Sequence, residues 1–153
     1  MRWLELRMRP PVVALVAGLL MWLAAQVVPS FGWPLPARIA AAAALAVVGV
    51  AFDVAGFVSF RRARTTINPL RPARASSLVV TGVYRYTRNP MYVGAALLLL
   101  AWAAFLANAA ALALVPAFVL YLTRFQINPE ERALSGIFGA QYRAYCGRVR
   151  RWL

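Results

Sequence analysis

The sequence predicts an all-α integral-membrane protein, and three observations carry that prediction. Hydrophobic residues make up 63% of the 153 residues and charged ones 14%, against about 45–50% and about 25% in soluble domains. The apolar residues gather into long uncharged stretches rather than short alternating ones. The 17 basic residues, all arginine, fall in clusters that alternate with arginine-poor segments in step with those stretches. Ordinary water-soluble globules and disordered chains are excluded on composition alone. The absence of His excludes His–metal sites and Ser–His–Asp triads. One cysteine, Cys146, excludes an intramolecular disulfide and a multi-cysteine metal site.

The first predicted transmembrane helix is 12–28. Arg2, Arg7 and Arg9 precede it, as they would a signal peptide, but the run is long and lacks a small-x-small cleavage site. The second is 39–60, rich in Ala and Gly, which suits close helix packing. It carries one charge, Asp53. An ionisable side chain inside a span is a functional candidate by default; pairing with an arginine at the interface is the plainer alternative. Residues 91–123 carry no charge and are too long for one crossing of a hydrocarbon core about 30 Å thick. A hairpin turning near Asn108 resolves this, with helices at 91–107 and 109–127. A loop at 61–90 precedes the hairpin. An amphipathic interfacial helix at 130–153 follows it, its apolar residues recurring every three and four positions. The whole is one membrane domain.

Arginine placement orients the chain. Three precede the first span, Arg38 alone follows it, seven lie in the 61–90 loop, and none lies at the hairpin turn. Both termini are therefore expected in the cytoplasm of a bacterial cell, with the protein in the inner membrane. Basicity is explained by topology and the anionic surface of the bilayer, its expected partner, and not by nucleic acid.

Two segments carry chemistry. One is Gly82-Val83-Tyr84-Arg85-Tyr86-Thr87-Arg88-Asn89-Pro90-Met91-Tyr92-Val93-Gly94, in which Pro90 opens a helix. The other is Arg124-Phe125-Gln126-Ile127-Asn128-Pro129-Glu130-Glu131, with two adjacent carboxylates in an arginine-dominated chain. On composition alone the first is an interfacial anchor and the second a helix start with acids at its positive end. Hairpin geometry adds that both reach the same cytoplasmic end of neighbouring helices, about 8–10 Å apart.

These segments, followed by Phe138-Gly139, Tyr142-x-x-Tyr145 and Arg148-Val149-Arg150-Arg151, resemble the isoprenylcysteine carboxyl methyltransferases and phospholipid methyltransferases. The family pattern is Arg-His-Pro-x-Tyr-x-Gly, a hydrophobic stretch, then Glu-Glu. The likeness covers Leu78 to the C-terminus. It implies a multi-pass membrane methyltransferase using S-adenosylmethionine (SAM), with S-adenosylhomocysteine as product and a lipophilic or lipid-like substrate. By position it implies cofactor contacts from Ser76, Ser77, Leu78, Val79, Tyr84, Asn89, Pro90, Met91, Tyr92 and Glu130. Arg88 and Glu131 join the reacting centre, as do Gln126 and Arg124. Asn89 stands where the family usually has His, and it cannot titrate. Gln126 stands where the prenyl-cysteine enzymes have a substrate-facing arginine, a role Arg124 would have to take over. Asp53 lies apart from these residues, in the other half of the chain. Two other readings are a small transporter subunit that couples through Asp53, and an inactive scaffold built on the methyltransferase shell.

Overall fold

The structure is a computed structural model that describes residues 5, 6, 8–63 and 77–153. Among the described residues all extended regular structure is helical. Helix α1 is Pro10–Val27, α2 Leu35–Ala63, α3 Pro90–Leu106, α4 Ala109–Leu122 and α5 Asn128–Arg148. A 3-10 turn, Gly82–Arg85, precedes α3, and a π-helical turn, Thr123–Ile127, joins α4 to α5. Three helical runs are long and apolar enough to cross a membrane: Pro10–Val27, Leu35–Ala63 and the continuous run Ala109–Arg148; Pro90–Leu106 is apolar but shorter. Glu130, Glu131, Arg132, Arg143 and Arg148 lie on α5 and exclude it from hydrocarbon. The apolar part of the last run is therefore α4 with its π-helical turn.

Prolines and arginines set the helix ends. Pro10 and Pro11 occupy the first turn of α1, where no amide is needed. Helix α2 starts four residues earlier than the apolar run suggested. Pro36 fits its first turn, and the Pro34 carbonyl accepts from the Ala37 and Arg38 amides. It continues past residue 60 to place Arg61 and Arg62 at its negative end. Only Ala107 and Asn108 separate α3 from α4. Ala107 takes a left-handed conformation (φ 48°), and the Asn108 side chain accepts from the Ala111 amide at 3.1 Å, capping α4. The same side chain donates to the Val28 carbonyl at 2.5 Å, tying the turn to the end of α1.

Helix α3 is the centre of the packing: α1, α2 and α4 all lie against it, and α1 also packs on α4. Met21, Leu99, Ala103, Phe118, Leu122 and Ile127 form the core. The outward faces stay apolar: Leu15, Val47 and Leu120 are 75%, 70% and 68% exposed. Such surfaces belong in lipid, where exposing a Leu carries no penalty. Gly94 brings α2 onto α3. A Cβ added there would lie 2.8 Å from the Gly49 carbonyl oxygen and 2.6 Å from Asp53 Cγ, so no side chain fits between the two helices.

The expected helix at 130–153 is shorter and broken. Gly139 has φ 48° and ψ −119° inside α5, a conformation that favours glycine. The helix ends at Arg148, and the last residues turn back beside the start of α3, with Thr87 and Arg150 forming a parallel bridge. Val149 and Trp152 continue the helical spacing although the chain there is extended.

Candidate functional site

The two motif segments meet at the start of α3 and α5. Residues 86–89 carry the chain from the 3-10 turn into α3, where Pro90 removes an amide that would lack a partner. The π-helical turn swings Gln126 and Ile127 inward, both buried, and sets Pro129, Glu130 and Glu131 in the first turn of α5. One extra residue per turn re-aims the side chains that follow, a recurrent use of such turns at functional sites. As a result the Tyr92 hydroxyl donates to Glu130 Oε1 at 2.6 Å. Gln126 Nε2 donates to the same oxygen at 2.5 Å. Arg88 Nη2 meets Glu131 Oε1 at 2.9 Å.

Adjacent in sequence, the two glutamates occupy different surroundings. Glu131 is held between Arg88 and Arg151, whose Nη2 lies 2.5 Å from Glu131 Oε2. Hydrogen bonding to Glu131 holds the Arg151 guanidinium more firmly charged. Arg88 also donates to the carbonyls of Cys146 and Val149, at 3.2 and 3.3 Å, closing the end of α5. The returning chain completes this clasp. The Arg88 amide donates to the Arg150 carbonyl at 2.9 Å. The Asn89 amide group and the Thr87 hydroxyl both donate to the Arg151 carbonyl. Among the described residues Glu130 has neutral hydrogen-bond partners only, Tyr92 and Gln126. Burial pushes its carboxyl up to about 7, and the neighbouring Glu131 charge adds to the rise, against the pull of the Tyr92 and Gln126 hydrogen bonds.

A cavity of 1190 Å³ opens over Glu130. A small-molecule site holds about 300–1,000 Å³, so a ligand of ordinary size fits with space to spare. Its polar end is formed by Tyr84, Arg88, Asn89, Tyr92, Glu130, Glu131, Tyr142 and Tyr145, with Ser77, Leu78, Val79 and Met91 beside them. Tyr84 is fixed twice, by the Tyr145 hydroxyl on its carbonyl at 2.8 Å and by the edge of Phe60 with ring centroids 5.5 Å apart. Burial pushes the phenols of Tyr84, Tyr142 and Tyr145 up, so all three are neutral donors and none is a base at neutral pH. The other end is an apolar groove over α3, walled on one side by Ala14, Leu15, Gly18 and Leu19 of α1 and on the other by Asp53 and Phe57 of α2.

Most of the residues singled out from the sequence therefore converge. Pro90 is buried behind the cavity wall, and Gln126 reaches the cavity through Glu130. Ser76 lies outside the described residues. Arg124 is a correction. Its side chain is 54% exposed and pairs with Glu5 at 3.3 Å, outside the cavity lining, so it does not take the place of the arginine that Gln126 replaces. Glu5 also pairs with Arg132. The separation of Asp53 from the other site residues is a second correction, since Asp53 lines the same cavity. Sequence reasoning missed Phe57, Phe60 and the α1 wall, which are indistinguishable from lipid-facing residues until the helices are packed.

A family model described as phospholipid methyltransferase matches residues 37–141, well over half of the chain. The chain belongs to the phospholipid methyltransferase family. The match takes in α2, the 3-10 turn, α3, α4 and the glutamates of α5. A protein from Haemophilus influenzae described as uncharacterized is 46% identical over 63 residues, which is 41% of this chain and the whole of that one. No solved structure matches. The methyltransferase fold of this family member is thus all-helical and apolar-surfaced, as befits an integral membrane protein.

Proposed function

We propose that this family member is a SAM-dependent methyltransferase with four membrane crossings, α1 to α4, and both termini in the cytoplasm. SAM binds at the polar end of the cavity, and a lipophilic acceptor occupies the apolar groove between α1 and α2. The observation that carries the reading is the convergence of Tyr92 and Glu130 on one polar wall of a cavity whose remainder is apolar.

The residues present suit SAM. Glu130 is a carboxylate with neutral partners on one oxygen, fit to accept from an ammonium or a ribose hydroxyl. Tyr84 and Tyr142 offer aromatic faces for an adenine. Arg88 carries the one buried side-chain nitrogen without a hydrogen bond among the described residues, its Nε, although its terminal nitrogens are engaged with Glu131 and the α5 carbonyls. When bound, SAM supplies an electrophilic methyl on a sulfonium. The chain's own part is to align, to exclude water and to hold Glu130 ready. The clasp of Arg88, Glu131 and Arg151 fixes the mouth of the site, and the apolar groove keeps water from the acceptor side.

Calorimetric titration of SAM and its demethylated product into detergent-purified protein tests cofactor binding. Transfer of labelled methyl from SAM to a lipid extract tests the activity. Saturable binding with transfer to a lipid-soluble product is the expected result; absence of binding overturns the reading. Reporter fusions at the N-terminus and at Asn108 test the topology, and an N-terminus on the outer face contradicts it.

A further inference from the structure

Of the four acidic side chains of the protein, three are engaged: Glu5 with Arg124 and Arg132, Glu130 with Tyr92 and Gln126, Glu131 with Arg88 and Arg151. The fourth, Asp53, makes no hydrogen bond or ion pair among the described residues. An unpaired carboxylate in an apolar helix carries a large desolvation cost. The packing around it makes room for it all the same. It lies against Gly94 of α3, where any Cβ would fall 2.6 Å from its Cγ, and it faces the cavity rather than lipid.

Its depth is equally specific. A Cβ on Gly56 would meet Met91 and Pro90, and one on Gly49 would meet the Gly94 carbonyl and Leu97, so α2 and α3 run antiparallel with Asp53 beside Gly94. Gly94 lies four residues beyond Pro90, about 6 Å along the helix axis. Asp53 therefore stands roughly one helical turn deeper than the polar end of the cavity, where the apolar groove begins. The other charged groups on the cavity are Arg9 at the start of α1, Arg88 and the two glutamates. No ion pair joins Arg9 to Asp53, and Arg88 is bound to Glu131.

We infer that Asp53 is the acceptor-side carboxylate of the reaction: it holds a protonated amine head group at the boundary between groove and polar end, and takes its proton. The inference rests on the methyltransferase reading for the chemistry but not for the binding. An ammonium has no lone pair with which to attack. A proton passes from its nitrogen to an Asp53 Oδ, and the electrons of the N–H bond remain on nitrogen. That pair forms the new N–C bond as the bond from methyl carbon to sulfur breaks, the electrons of the broken bond staying on sulfur. The methylated ammonium leaves along the groove, and Asp53 returns its proton to water. The absence of His and Lys makes a carboxylate the available acceptor for this proton. A carboxylate head group is disfavoured at the same place by like charge and by its lack of donors.

The test is binding to the full chain in detergent, with dodecylamine, dodecanol and dodecanoic acid as probes and intrinsic fluorescence as the signal. In the natural protein dodecylamine is expected to bind at least about tenfold tighter than dodecanol, a difference of about 1.4 kcal/mol. Asp53→Asn should bring the two within about twofold while leaving the affinity for S-adenosylhomocysteine unchanged to a similar margin. Equal binding of amine and alcohol to the natural protein overturns the inference without reference to any variant. So does tighter binding of dodecanoic acid, or a folded Asp53→Asn that keeps the amine preference. If S-adenosylhomocysteine fails to bind, the methyltransferase reading falls, and the amine preference still decides the role of Asp53.

Discussion

The two sides of the first turn of α5 differ more than their sequence suggests. On the side of Glu131 charge is matched by charge: Arg88 joins Glu131 and two carbonyls through its terminal nitrogens, Arg151 joins Glu131, and Thr87 and Asn89 hold the returning chain. On the side of Glu130 the hydrogen-bond partners among the described residues are neutral, and burial raises the carboxyl to about 7. Neighbouring identical residues thus stand in opposite surroundings. A saturated ion pair resists change and makes a good fastening. A carboxylate kept away from cations retains affinity for a ligand that brings donors or positive charge.

The sharpest way to break this contrast is to cut the fastening. Arg88→Ala removes one partner of a largely buried pair (side chains 12% and 18% exposed) and leaves the α5 carbonyls open. It should lower stability by about 3 kcal/mol, at the low end for such pairs because Arg151 remains on Glu131. Thermal melting in detergent measures it, and a melting temperature unchanged from the natural protein contradicts the assignment. Arg88→Lys should recover only part of the loss, since an ammonium cannot replace the planar fork.

Glu130→Gln should show the reverse pattern. Losing a hydrogen bond to a charged group corresponds to about 1.5–3 kcal/mol, or roughly ten- to a hundredfold in SAM affinity, with melting little changed. The raised carboxyl adds a pH signature. Its folded value of about 7 lies above the unfolded 4.5, so the proton is held more tightly in the folded, ligand-free protein. The ionised form that accepts from the ligand dominates only above that value. SAM affinity should therefore rise with pH through about 7 and level off above it, and titrations across this range should find the dependence absent in Glu130→Gln. A flat profile in the natural protein places the cofactor elsewhere.

Thr87→Val tests how far the fastening depends on the returning chain. Thr87 is fully buried, accepting from the Asn89 amide at 3.1 Å and donating to the Arg151 carbonyl at 3.2 Å. The isosteric change should cost about 1–2 kcal/mol by leaving the Asn89 backbone amide without its acceptor, while the Arg151 carbonyl keeps the bond from the Asn89 side chain; melting again reads it. Arg148→Lys sets the baseline. Arg148 is exposed and, among the described residues, bonds only its own helix, at the Ala144 carbonyl, so both readouts should stay within about 0.5 kcal/mol.

Much of this molecule is legible from composition and periodicity, because lipid imposes a simple rule on every residue that faces it. The apolar stretches mark α1 to α4 to within a few residues, Asn108 marks the turn, and Pro90 and Pro129 mark helix starts. The Tyr92 and Glu130 motifs could be placed at one end of the bundle, since only a short turn separates α3 from α4. Tertiary structure decided what spacing cannot encode: which charge meets which. Arg88 finds Glu131, 43 residues away, and Arg124 finds Glu5, 119 residues away. Arginine clusters report which side of a membrane they favour, and that preference says nothing of individual partners. The same limit explains the C-terminus, where Val149 and Trp152 keep a helical rhythm that the chain abandons to bring Arg151 to Glu131. It also explains Asp53, whose sequence shows a costly charge in a span, while only the packing of Gly94 against α2 turns that charge toward the cavity.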